Sequence, residues 1–537
     1  MEIQARISER TLSKVTRLFN ATLTDILNEL LQNARRAGAT RVKVEVVNEN
    51  YLSITDDGVG IDDPQILLTL GNSDWEEETQ HREDPAGMGI FSLANREVEI
   101  RSRDWFVNLT PANFTGELPA QVQPTELRVG TVVSFRLKEG EVFIKKVLDS
   151  VAKYYPSTVE FNGTLIEQKD FLQNALYIEE WRGLRMGVFD NYYPSLNVLN
   201  FYGINLSHNL PSIEQVNQYT RKLGVKIDIV DCPDIKLVLP ARKELVENQF
   251  LLELYNEVRG VIYRYLSTLE FHQLPHSLWQ QALALGLTLP EAKAELKEYQ
   301  PEVADHYANN WNEKVPVTDN TLIISESVEP VEQQIFWREF EKAKLSYTPV
   351  RRQPQYEGYT WYDRIPVLSN IEFAIAIDGK QLTPEDAEAE YGNRDKVEVD
   401  DIVITTTLTQ LDGTSEQITF SSDLYLCQDE DSDCLGDVTI YLKRGHKISV
   451  DELANLLEAA FFFPSDDVES DSYGTQQEYF QEAAYERAKE TLLSSQEITM
   501  ENLRSRLEEI RSLLPEGARA DISLSPDNIS IEIHQGE

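Results

Sequence analysis

The chain has 537 residues, 41 % hydrophobic and 26 % charged, which is ordinary globular composition but too long for one core; about three or four domains are expected. Its formal net charge of −41 repels phosphate backbones, so nucleic acid is disfavoured as a partner unless a local basic patch opposes the mean. No run approaches the roughly 18–20 apolar residues of a membrane span, no apolar signal region follows Met1, and Cys232, Cys427 and Cys434 have neither zinc-ligand spacing nor enough pairs for a disulfide framework, so no membrane partner and a reducing cytoplasm are expected.

Residues 1–140 read as α/β. TLSKVTRLFNATLTDILNELLQNARRAG carries apolar residues at helical spacing, in two helices with a break near Asn20–Thr24, and Gly38 ends the second. RVKVEVVNENYLSITDDG alternates as a hairpin turning at Asn48–Asn50. Residues 62–86 are polar with little regular signal, as a mobile flap would be. Strands return in REVEIRSRD and RVGTVVSFRLKEG.

Residues 141–270 continue as mixed α/β, from the helical VFIKKVLDSVAKYY through STVEFNGTLIE to the amphipathic ENQFLLELYNEVRGVIYRYLSTLE. Residues 271–319 read as a helical connector rich in Gln, Leu and Ala. Residues 320–537 form an acidic mixed α+β region, with strands in NTLIISES, IEFAIAIDG, VEVDDIVITTTLTQ and DVTIYLKRG. One long charged helix follows from about Gln477, and a terminal hairpin closes the chain. The charge is uneven: about a quarter of the acidic excess precedes residue 270 and about three quarters follows it.

Four clusters carry chemistry. In ELLQNARRAGAT, Glu29 and Asn33 stand at i and i+4 and face one side of a helix. A carboxylate there can deprotonate a water, and an amide oxygen one turn on can ligate Mg²⁺. An ordinary helix with a surface Glu and Asn is the plain alternative. In SITDDGVGI a strand delivers Asp56 into a turn held by Gly58 and Gly60, where a buried carboxylate can accept the adenine amino hydrogen. An acidic β-turn is the bland reading of the same residues. In DPAGMGIFSLAN, Gly87 and Gly89 precede an apolar helical run and offer free backbone N–H groups to phosphate. VGTVVSF adds Gly130 and Thr131 at a strand start.

In this order the four clusters resemble the boxes of the GHKL (Bergerat-fold) ATPase superfamily, which includes the ninety-kilodalton heat-shock chaperone, MutL proteins, type II topoisomerase ATPase regions and histidine kinases. ELLQNARRAGATRV is closest to the MutL wording; AGMGIFSLA and GTVVSF are similar to the chaperone's. The resemblance implies a Bergerat-type α/β sandwich over 1–140, ATP and Mg²⁺ as cofactors, Glu29 as general base, Asn33 as metal ligand and Asp56 as adenine reader. Gly58, Gly60, Gly87, Gly89 and Thr131 would surround the nucleotide. PDIKLVLPARKELVENQFLLELYNEV resembles the chaperone's middle domain, which implies a transducer-like unit over 141–270 with Arg242 reaching the γ-phosphate. Arg36 departs from the pattern: the family usually has an aspartate there.

Two functions follow from that resemblance. One is an ATP-hydrolysing, chaperone-like machine, expected as a homodimer, whose acidic C-terminal half engages a protein client or partner subunit. The other is a MutL- or MORC-like clamp on nucleic acid, favoured by the first box and opposed by the charge. A nucleotide-binding pseudo-ATPase is a third form of the same fold.

Overall fold

Thr22 opens the first helix, α1 (Leu23–Arg36), through a reciprocal cap. Its hydroxyl accepts the Asp25 N–H at 3.2 Å, and the Asp25 carboxylate accepts the Thr22 N–H at 3.0 Å. Leu23, Ile26, Leu27, Leu30, Leu31 and Ala34 are buried along one face. Gly38, at φ +74°, ends the helix in the left-handed conformation expected of it.

The molecule is described here from a computed structural model over residues 22–535, except 49, 72–74, 84, 86, 88, 191–197, 217–221, 239–243, 306–312, 326–327, 393, 429–434, 466, 468–469, 515 and 526. It divides into two compact units, Met1–Lys293 and Ala294–Glu537.

In the first unit eight strands form one sheet: β1 (Arg41–Val47), β2 (Tyr51–Asp56), β3 (Val98–Ser102), β4 (Trp105–Leu109), β5 (Val122–Pro124), β6 (Thr131–Arg136), β7 (Thr158–Phe161) and β8 (Thr164–Leu165). Their order is β5-β4-β3-β6-β2-β1-β7-β8. Only the β1–β7 pair is parallel. The β1–β2 hairpin turns where the sequence predicts, and its alternation puts Val42, Val44, Leu52 and Ile54 into the core. There they meet α1 and a helix over Ile144–Val151, making a helix layer on a sheet. Sheet and helix layer thus extend past residue 140.

The polar segment over 62–86 has more regular structure than its composition suggests. Asp63 accepts the Gln65 N–H at 2.9 Å and starts a 3-10 turn over Pro64–Leu68, and α2 (Glu77–Glu83) follows. Buried Leu67 and Glu83 pin the two pieces down.

A second sheet, over residues 177–229, packs on the helix Gln249–Ser267, with Met186, Val225 and Ile227 meeting Leu254, Val258 and Val261. Among the described residues of 271–319, helix is confined to His276–Ala284, less than the Gln, Leu and Ala content of the segment suggests. Gly286, at φ +77°, stops that helix, and Glu295–Lys297 pairs with Lys314–Pro316 as antiparallel strands.

In the second unit the predicted strands appear at Thr321–Ile324, Val367–Ile377, Asp401–Thr409 and Val438–Lys443. The long charged helix is two helices, Tyr473–Leu492 and Ser495–Ile510. Ser494 and Glu497 form a capping box that restarts the helix, a signal as local as the periodicity that conceals it. The terminal hairpin pairs Ala518–Ser525 with Asn528–Gln535.

Candidate nucleotide site

One flank of α1, beside its buried stripe, carries Glu29, Asn33 and Arg36, at i, i+4 and i+7. These three line a cavity of ≈ 680 Å³, together with Asp56 and Gly60 at the end of β2, Thr131 at the start of β6, and Gly87 and Gly89 beyond α2. Seven residues singled out from sequence therefore share one wall system. Gly58 is not on the wall; it supports Asp56 from behind. Arg242 lies outside the described residues.

At one end Asp56 is half-buried, and its Oδ1 accepts the N–H groups of Gly58 at 2.9 Å and Thr131 at 3.3 Å. Burial pushes its carboxyl above the ordinary range, and the two backbone donors offset part of that. Gly130, at φ +75°, lets β6 pass this close: a Cβ there would sit 1.9 Å from the Asp56 carbonyl oxygen. Ile54, Ile100, Val133, Leu30 and Leu67 line the cavity with apolar surface. A half-polar slot of this kind suits a flat heteroaromatic ring with an exocyclic donor.

Behind the wall formed by Arg36 lies a cluster of charged side chains. The Glu83 carboxylate is 0 % exposed and holds three guanidinium groups: Arg35, Arg36 through Nε at 3.0 Å, and Arg82 through Nη2 at 3.1 Å. Burial alone would raise its pKa, but the arginine hydrogen bonds and charges outweigh that and hold it below its usual value. Arg36 also donates through Nη1 to Asn33 Oδ1 at 3.2 Å, and stands 3.8 Å from Glu29 Oε1. Gly89 presses on the same carboxylate; a Cβ there would lie 2.2 Å from Glu29 Oε1.

Residues 20–141 match the family model described as histidine kinase-, DNA gyrase B-, and HSP90-like ATPase. This segment is a GHKL ATPase domain. Among solved structures the chain is similar to the Aquifex aeolicus MutL ATPase domain complexed with ADP, at 18 % identity over 33 % of this chain and 81 % of that one, with a TM-score of 0.22. It is also similar to the ATPase region of Saccharomyces cerevisiae topoisomerase II, at 12 % identity over 49 % and 85 %, with a TM-score of 0.32. No curated protein matches the chain.

Within the GHKL domain no cluster of three or more His, Cys, Asp or Glu that could hold a metal occurs among the described residues. A magnesium ion would therefore need phosphate oxygens and water besides the one hard oxygen of Asn33, which is how that ion is usually held. The donor set fits, with one complication: Arg36 already shares that oxygen.

Sequence reasoning missed Glu83 and Ser102. Glu83 sits in a run of charges, HRED, with nothing local to mark it as buried. Ser102, fully buried, accepts the Ile61 N–H at 2.8 Å and lies 3.2 Å from the Gly130 carbonyl, tying the Gly60 turn to β6. Its position at the end of an alternating strand was the available signal.

Proposed function

We propose that the GHKL domain binds ATP in this cavity and hydrolyses it, and that the chain uses the cycle as a conformational machine. The observation that carries this reading is the convergence of Glu29, Asn33 and a backbone-anchored Asp56 on one cavity, with two glycines at its far edge. In this mechanism Asp56 accepts from the adenine amino group, while Gly58 and Thr131 keep its Oδ1 occupied and its plane fixed. Glu29 orients a water and takes its proton as the water attacks the terminal phosphate. Magnesium, when bound, would be held by Asn33 Oδ1 and would neutralise phosphate charge. Gly87 and Gly89 let backbone approach the phosphates without side-chain obstruction.

A link out of the site supports the conformational part. Gln32 donates to the Tyr202 carbonyl at 2.7 Å, and the Arg35 guanidinium lies over the Tyr202 ring at 4.5 Å, so the second sheet rests on the helix that lines the cavity. Displacement of α1 on nucleotide binding would reach that sheet directly. The acidic half of the chain then serves a protein partner or a second copy, and sedimentation with and without ATP tests for the latter.

Calorimetry and turnover on the full chain test the core of the reading. Asp56→Asn should weaken ATP by about 10- to 100-fold, because an amide can present a donor to a donor (about 1–3 kcal/mol). Glu29→Ala should bind ATP as before and lose about 10²–10⁴-fold in hydrolysis. ATP that gives no binding heat with the natural chain, or a Glu29→Ala protein that turns over at the natural rate, would sink the respective assignment.

A further inference from the structure

Arg36 stands where this superfamily usually has an acid, and its surroundings show what the reversal of charge does. The side chain is only 2 % exposed. Nε is anchored on Glu83, which fixes the plane of the guanidinium and turns Nη1 toward Asn33 and Glu29. Of the three guanidinium groups gathered on Glu83, Arg36 is the one that lines the cavity, where it stands among the carboxylates of Glu29, Asp56, Asp62 and Glu76. The placement suits the last turn of α1, where the helix dipole favours cations.

Asn33 Oδ1 is the oxygen a divalent ion would use, and Arg36 Nη1 is already 3.2 Å from it. A guanidinium there offers phosphate oxygens a forked, permanently charged donor, which is part of what a metal offers them. We propose that Arg36 is a phosphate-binding cation that takes over part of the divalent ion's role, so that this chain binds nucleotide with weak dependence on magnesium. The inference rests on the ATP reading above. Glu83 is the positioning residue: it holds Nε and so sets the plane in which Nη1 lies beside Asn33 Oδ1 on the cavity wall. Arg35 pairs with the same carboxylate but is not part of the cavity wall, and so supplies a control.

Titrate ATP into the full chain by calorimetry, once with magnesium and once with EDTA. Removal of metal should weaken binding by less than about 10-fold in the natural chain and in Arg35→Gln, and by about 100-fold or more in Arg36→Gln. Arg36→Lys keeps the charge but loses the fork; it should fall between the two and serves should Arg36→Gln fail to fold. Equal metal dependence in the natural chain and both Arg36 variants would overturn the inference while leaving the ATP reading intact. Absence of ATP binding to the natural chain in either condition would remove both.

Discussion

At one end of the cavity Asp56 is fixed by backbone: two N–H groups on one oxygen, and a glycine that admits β6. Behind Arg36 of the cavity wall, Glu83 is fixed by side chains: three arginines from α1 and α2 meet on a fully buried carboxylate. The first arrangement is dictated by strand register and has one geometry. The second is a balance of charges brought from residues about fifty apart in sequence, and it can be undone by a proton or by a competing anion. Under the proposed function, the rigid anchor would face the ring and the convertible charges would back the wall that meets the phosphates.

The strongest way to break this contrast is Gly130→Ala. A Cβ 1.9 Å from the Asp56 carbonyl, on a residue at φ +75°, forces β6 away from β2. The cost should exceed about 4 kcal/mol and appear as loss of hydrogen-exchange protection along Thr131–Arg136.

Glu83→Gln should cost about 3 kcal/mol, because it leaves buried guanidinium groups facing a neutral partner. Here pH matters. The folded carboxyl is held below its ordinary 4.5, so its stabilisation is complete above that value and is lost as pH falls through the folded pKa. Hydrogen exchange of α1 and α2 should show an acid-side loss in the natural chain and a flatter profile in the variant. A variant with the natural slope would assign the acid sensitivity elsewhere.

Ser102→Ala leaves the Ile61 N–H without its acceptor and should cost about 1–2 kcal/mol, again without pH dependence, read as faster exchange at Ile61. Thr22→Ala removes the cap of α1 at an exposed position and should cost about 1 kcal/mol, fraying the first turn while the Asp56 and Glu83 anchors persist. If it loosened Asp56 or Glu83 as well, the two would not be independently anchored.

The contrast also explains what could be read from the sequence. Glu29 and Asn33 were legible because helical spacing alone places them on one face, and Asp56 because an alternating strand ends in a glycine turn. The β1–β2 hairpin and the cap at Gly38 were legible for the same local reason. Arg36 was visible only as a departure, since its meaning depends on Glu83, and no rule of spacing joins a helix end to a carboxylate beyond a sheet hairpin. Helix length was read too long in two places where a local stop decides it: Gly286 cuts short an apolar run, and Ser494 interrupts a charged one.

The single parallel pair in the first sheet has a consequence for how the chain is made. β1 leaves the ribosome beside β2 and can zip to it at once, but its other edge waits for β7, more than a hundred residues later. Until Thr158–Phe161 arrives, β1 is a bare strand edge that any passing chain could pair with. The wall that carries Asp56 is thus assembled before its neighbour is sealed, and a fragment ending near residue 140 would keep that seam permanently open. For a nascent polypeptide this is an interval of exposure that a slow or paused translation lengthens.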